Sequence, residues 1–181
     1  MSNQYYLLAQ LPSFTVTDEK AALPITEEYF YDLCSRFLDA KSLNQLKNLS
    51  LEPPREKTPT GSVLLDSWYD CERNLRLALA QIRALRMNKK FDVENESFPP
   101  EVIQAARTAT GMDSPLAAEQ FLNQYRLNLL NSIRPQDEFS IDAVYLYGLK
   151  LKLALRMKKF NAEKGMASYH KIYDSILKGE E

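Results

Sequence analysis

Apolar residues recur every three to four positions over most of this chain, between polar starts and glycine or proline stops. Thr26 stands where an N-cap belongs, with Glu27 and Glu28 in the first turn, where the helix dipole favours acids. Tyr29, Phe30, Leu33, Phe37 and Leu38 then predict an amphipathic helix over 27–38, and Leu43, Leu46 and Leu49 a shorter one over 40–49. Ser62 opens the longest pattern, which runs to about Lys90 without an internal Gly or Pro. Its stripe is Leu64, Trp68, Leu75, Leu79 and Ile82. At 1.5 Å per residue this rod would be roughly 40 Å long.

Further on, Pro99-Pro100 suits the start of a helix over 100–110 closed by Gly111. Ser114-Pro115 opens another, carried by Phe121, Leu122, Tyr125, Leu129 and Ile133 to Pro135. Ser140 caps a second long helix over 141–161, with Gly165 as its expected stop. Tyr169, Ile172, Tyr173, Ile176 and Leu177 make a closing helix before Gly179. Between these lie segments without helical period. Tyr5 to Leu11, ended by Pro12, fits one strand or a first helical turn, and periodicity does not decide between them. Residues 13–25 read as a connector, Asp92 to Ser97 is polar, and Leu51 to Gly61, with Pro53, Pro54 and Pro59, is the strongest linker signal. The pattern predicts an all-α helical bundle with two long helices, organised as halves 1–93 and 94–181 or as one domain.

The two long helices end alike. Ala84-Leu85-Arg86-Met87-Asn88-Lys89-Lys90-Phe91-Asp92 echoes Ala154-Leu155-Arg156-Met157-Lys158-Lys159-Phe160-Asn161, with one residue fewer in the second copy. A degenerate two-fold helical repeat explains this, as does chance likeness between Leu/Arg/Lys-rich helices.

Composition supports helix: only five glycines occur in 181 residues, and straight-chain residues, which lose little rotamer freedom in a helix, fill the middle. The formal net charge of −1 excludes a chain built as a whole to coat nucleic acid or anionic lipid. Charge is uneven, however. Asp18, Glu19, Glu27, Glu28, Asp32 and Asp39 face only Lys20 and Arg36 in residues 1–40, whereas bases outnumber acids in 141–181. Cys34 and Cys71 sit within apolar patterns and read as small buried hydrophobes of a reducing compartment. The first residues lack a basic n-region, and no stretch reaches bilayer-spanning length. We expect a cytoplasmic chain without a membrane span.

Reactive constellations are not found in the sequence. His170 is the only histidine, so clustered metal ligands and a histidine-based triad have little to draw on. Neither cysteine has a basic neighbourhood that would activate it, and no phosphate-cradling glycine motif occurs. We therefore expect no enzyme, cofactor or metal. What remains is surface chemistry. The candidate partner-binding set is Arg73, Arg76 and Arg83 on the first long helix and Lys150, Lys152, Arg156 and Lys159 on the second, beside Lys158. Such a face suits an acidic protein, RNA or a headgroup surface, and a merely solvated face explains it too. Tyrosine is the second feature. Tyr145 and Tyr147 lie on the second long helix and Tyr169 and Tyr173 share a face of the last. Interface and core both use tyrosine this way.

The block Tyr5-Tyr6-Leu7-Leu8-Ala9-Gln10-Leu11-Pro12 is similar to the start of a bacterial family of unassigned function associated with V-type ATPase gene clusters. The pattern continues as Ile25-Thr26-Glu27-Glu28-Tyr29-Phe30 and as Trp68-Tyr69-Asp70-Cys71-Glu72-Arg73-Asn74-Leu75-Arg76. The last segment also resembles the aromatic-rich E-x-N-L-R helix of the C (or d) subunit of V- and A-type ATPases. Phe139-Ser140-Ile141-Asp142-Ala143-Val144-Tyr145-Leu146-Tyr147 looks like a poorer second copy. Those subunits are helical pseudo-repeats between membrane rotor ring and central stalk. The resemblance implies a non-catalytic subunit or assembly factor of a bacterial V-type ATPase. Its partners would be stalk or ring subunits, peripheral to the cytoplasmic face of the inner membrane. A basic-helix RNA-binding module or a general adaptor is the alternative.

Overall fold

In a computed structural model, residues 4–13, 23–90, 98–159 and 162–178 are described, and among them all regular structure is α-helical. Eight helices follow one another: α1 Gln4–Gln10, α2 Glu27–Phe37, α3 Ala40–Lys47, α4 Val63–Arg86, α5 Pro100–Gly111, α6 Pro115–Ser132, α7 Ile141–Lys159 and α8 Ala162–Lys178. The open choice at the N-terminus resolves to helix: Tyr5 to Gln10 lie in α1. None of the described helices is long and apolar enough to cross a membrane. Part of the expected connector 13–25 and all of the polar stretch 92–97 lie outside the described residues.

The helix starts form as their sequences dictate. Thr26 Oγ1 accepts from Tyr29 N at 3.2 Å, Ser114 Oγ from Ala117 N at 3.3 Å and Ser140 Oγ from Ala143 N at 3.3 Å. Each satisfies one of the donors a first turn leaves without an intrahelical acceptor. At α4 the cap is tertiary. Ser62 Oγ accepts from Leu65 N at 3.2 Å and donates to Asp142 Oδ1 at 2.6 Å, so the first turn of α7 holds the first turn of α4.

Two boundaries differ from expectation. The helix expected to run to about Lys90 ends at Arg86, because Asn88 takes a left-handed φ of 52°. Asn88 N then donates to Leu85 O at 3.2 Å and Lys89 N to Ala84 O at 2.9 Å, the pair of bonds that closes a Schellman terminus. Gly165, expected to stop α7, instead lies inside α8, where nothing crowds it; a glycine weakens a helix without forbidding it. The echo between helix ends is not an echo of environment. Met87 is 61 % exposed and Met157 is buried, and Asn88, the residue absent from the second copy, is the one that terminates the first. Nor are two helices set apart by length: α6 and α8, with 18 and 17 residues, match α7 with 19.

The core divides into two clusters. The larger joins α1, α2 and α3 to the start of α4, the end of α6 and most of α7, around Trp68, Phe30, Leu46, Leu130, Tyr145 and Leu149. The smaller joins the rest of α4 to α5 and the start of α6, around Leu75, Leu79, Val102, Ala106 and Leu122. Both draw on residues before and after position 93. α4 and α6 run through both clusters, so each has one stretch of sequence where the two meet.

Gly148 shows how tightly α7 is seated. A Cβ there would lie 3.0 Å from Leu49 Cδ2, 3.3 Å from Phe30 Cε1 and 3.4 Å from Leu46 Cδ1. Alanine in a helix interior ordinarily gains about 1 kcal/mol over glycine, which this crowding offsets. Gly148→Val adds two more carbons against three core side chains and is expected to lose about 1–3 kcal/mol. Urea denaturation of the two variants beside the parent measures this; an unchanged midpoint for Gly148→Val would mean α7 is not seated so closely.

Candidate interaction surfaces

Where the two clusters meet, the chain places charge. Glu72 on α4 falls between Trp68 of one cluster and Leu75 of the other; Asn123 and Arg126 on α6 fall between Leu122 and Leu127. Glu72 is fully buried and Arg126 nearly so. Arg126 grips Glu72 with a two-pronged fork, Nε to Oε2 at 3.0 Å and Nη2 to Oε1 at 3.0 Å, and Arg76 Nε donates to the same Oε1 at 2.9 Å. The pairing continues outward. Arg76 reaches Glu52 at 3.3 Å, Arg126 lies 3.5 Å from Glu119, and Glu119 also accepts from Arg156. Glu52, Arg76, Glu72, Arg126, Glu119 and Arg156 thus alternate in sign, and their charges cancel. Pairing each buried charge with one of opposite sign offsets the cost of taking it out of water.

The basic residues singled out from sequence are therefore mostly engaged within the chain. Arg76 and Arg156 belong to that alternating series. Burial by itself pulls the Arg76 guanidinium down, but the hydrogen bond and charge of Glu72, helped by Glu52, hold it above its ordinary value. Arg73 donates from Nη2 to Pro54 O at 2.7 Å and from Nη1 to Arg55 O at 3.3 Å. Lys152 pairs with Glu27 at 3.0 Å and stands 5.7 Å from the Tyr31 ring centroid. Burial lowers its ammonium, and the bonds to Glu27 and Tyr31 more than compensate. Lys150 is half-buried on another side of α7, with its pKa lowered by burial and by Arg134. Arg83 and Lys159 are exposed. Lys152, Arg156 and Lys159 come together along a shallow depression of about 350 Å³, where Glu27 and Glu52 face them. Arg73, Arg76 and Arg83 do not join it, so no single basic face forms.

The proline-rich segment 51–61 is not a loose linker. Besides the Arg73 fork, Gln45 Nε2 donates to Thr60 O at 3.1 Å, and Thr60 N and Oγ1 each donate to Asp66 Oδ1 at 2.8 Å. The strap so held roofs an open groove of about 730 Å³ along α3, where Lys41, Asn44 and Asn48 line one side, and a smaller hollow of about 240 Å³ bordered by Lys57 and Asp70. Tyr69 stands between them. Arg73→Ala should release the strap locally: tryptic cleavage after Arg55 or Lys57 is expected to accelerate several-fold while global stability falls by no more than about 1 kcal/mol. Equal cleavage rates would show that Arg73 does not hold it.

No group of three or more His, Cys, Asp or Glu is gathered for a metal among the described residues. Cys34 is buried, and desolvation pushes its thiol up to about 12; Cys71 is raised as well, by burial and then by Asp70 and Glu101. Both thiols are thus held protonated at neutral pH, which suits packing and not nucleophilic attack.

Besides exposed cations such as Arg83 and Lys159, the described surface carries exposed apolar and aromatic side chains. Of the tyrosines read from sequence, Tyr145 is a core residue and Tyr147 packs partly buried against the core, with hydroxyls donated to Gln45 Oε1 at 3.0 Å and to Pro12 O at 2.9 Å. Tyr169 and Tyr173 are exposed on α8, stacked with centroids 6.0 Å apart. Sequence reasoning did not pick out a second group. Tyr5 (54 % exposed) packs on Phe139 (46 %) with centroids 4.6 Å apart, and Tyr6 (62 %) sits edge-on to Tyr5. Residue 139 belongs to the α6–α7 loop, so the pair is non-local. Its only sequence signal was that Tyr5-Tyr6 and Phe139 each open a block of the family-like pattern.

The sequence model of a family described as protein of unknown function (DUF2764) matches residues 96–180. No curated protein and no solved structure matches the chain. Of the segments that carry the ATPase-linked resemblance, 139–147 lies within the matched stretch, and 5–12, 25–30 and 68–76 lie outside it. The matched stretch takes in α5, α6, α7 and α8. Over those four helices the chain is similar to proteins of unknown function, DUF2764.

Proposed function

We propose that this chain is a non-catalytic subunit or assembly factor of a bacterial V-type ATPase that acts through protein–protein contacts. One observation carries the contact-making part: the guanidinium and ammonium groups of Arg73, Arg76, Lys152 and Arg156 are bound within the chain, while Tyr5, Tyr6 and Phe139 stand exposed as a cluster. Nucleic acid binds through available cations, whereas aromatic side chains with an apolar body and a polar tip are enriched where proteins meet. The ATPase part rests on the resemblance of residues 5–12, 25–30 and 68–76, which includes two of the three aromatics of that cluster.

Mild purification of a native bacterial V-type ATPase from cells expressing the tagged chain tests this. Co-purification is expected, and a Tyr5→Ser/Tyr6→Ser/Phe139→Ser variant should reduce it by about tenfold or more. No trace of the chain on the ATPase, at stoichiometric or lower levels, would overturn the proposal.

A further inference from the structure

α8 stands apart in how it is covered. Gly165 to Leu177 are exposed throughout, and no described helix packs along it. Yet its large apolar residues fall on one side: Met166 (59 % exposed), Tyr169 (59 %), Ile172 (60 %), Tyr173 (50 %), Ile176 (62 %) and Leu177 (57 %). Met166, Tyr169, Tyr173 and Ile176 are spaced three, four and three apart, the alternation that keeps a seam facing one partner helix. Lys171 and Asp174 lie off the seam, and Ile172 and Leu177 widen it.

We propose that α8 is a self-association helix, through which two copies of this chain pair antiparallel along Met166, Tyr169, Tyr173 and Ile176. The seam is complementary to itself. Centred on position 171, an antiparallel pair sets Met166 against Ile176 of the second copy and Tyr169 against its Tyr173, with Ile172 meeting its counterpart beside the two-fold axis. Six lining residues and no buried charge mean that desolvation carries no ionic cost. Taking roughly 200 Å² for a large side chain, more than half of it exposed, one face offers roughly 700 Å². Two such faces give at most roughly 1,400 Å², within the range of about 1,200–2,000 Å² in which specific interfaces fall. The helix is roughly 25 Å long, only two heptads. So small an interface suits a dimer that forms with rising concentration and is not obligate.

Sedimentation equilibrium of the full chain from about 1 to about 200 µM tests this. The expected result is a monomer–dimer equilibrium that Tyr169→Glu/Tyr173→Glu weakens by at least about tenfold, with the far-UV spectrum retained because no described helix rests on α8. Mild oxidation should cross-link Ile172→Cys to itself and Tyr169→Cys far less. A monomer at every concentration, including one with α8 captured by another protein or a lipid surface, overturns the proposal. So does a dimer indifferent to the double substitution, or one cross-linked preferentially at position 169, which would be parallel. Failure here leaves the ATPase capture experiment untouched, since that reads the Tyr5, Tyr6 and Phe139 cluster, none of which lies on α8.

Discussion

Glu72→Ala is expected to destabilise the fold by about 3–5 kcal/mol, because it leaves the Arg126 guanidinium buried without its principal counter-charge. Arg126 is 4 % exposed, and of its carboxylate partners only Glu119 would remain, at 3.5 Å. Arg76 would lose the same partner but can keep Glu52 and water. For a chain of this length the loss lowers Tm by roughly 6–20 °C. Differential scanning calorimetry reads it directly, and a change below about 1 kcal/mol would refute the burial of this pair. The informative companion is Glu72→Leu/Arg126→Met. Removing both charges together replaces a polar layer by apolar side chains of similar length, and such swaps range from neutral to stabilising. If the double variant recovers most of the loss, the pair contributes little net stability and acts by keeping the two apolar clusters in register, α4 against α6.

The second large effect is alkaline. Cys34 and Tyr147 are neutral in the fold, and burial pushes both up to about 12, from ordinary values of 9.0 and 10.0. A raised folded pKa on an acid means that folding favours the protonated form. The stability is therefore fully present below the unfolded pKa and is lost as pH rises from about 9 toward about 12. At 1.36 kcal/mol per pKa unit, moving from pH 8 to pH 11 removes on the order of 3 kcal/mol, the fully buried thiol accounting for most of it. Guanidinium denaturation at the two pH values measures the loss. Cys34→Ala should remove the larger part of the pH dependence and Tyr147→Phe the smaller. Stability that is flat between pH 8 and 11 would contradict the burial of both groups. The hydroxyl of Tyr147 adds a structural reason: its ionisation abolishes the 2.9 Å donation to Pro12 O that ties α1 to α7.

How far the sequence could be read depends on how local each determinant is. Thr26, Ser114 and Ser140 were recognisable as caps because the cap and the donors it satisfies lie within three residues of one another. The stripe on α4 was recognisable because burial repeats at the helical period. Gly165 misled for a related reason: a glycine's local cost is known, but whether a helix continues through it depends on what lies on either side. Asn88 is the reverse case. An asparagine among lysines reads as one more polar residue, and its left-handed turn shows only in the backbone.

The candidate site was less legible. Glu72-Arg73-Asn74-Leu75-Arg76 stood out as a motif, and the arginines looked like a face for a partner. In the fold, Glu72 and Arg76 belong to a charge series, buried at its centre, that is completed by Arg126, 54 positions from Glu72, and Arg73 pins a strap 18 and 19 residues upstream. No helical wheel contains those partners. The exposed aromatic cluster was hidden for the same reason, since Tyr5 and Phe139 meet only across the fold. The apolar face of α8 could be drawn from sequence, but nothing local distinguishes a stripe that packs inside from one left outside.

That this chain is helical, where most helices begin and which side of each is apolar were all legible along the chain, because hydrogen bonding within a turn and the 3.6-residue period are local physics. Tertiary structure alone decided which charges are available and which apolar faces are covered, because an ion pair and a buried side chain each need a partner that chain connectivity does not name.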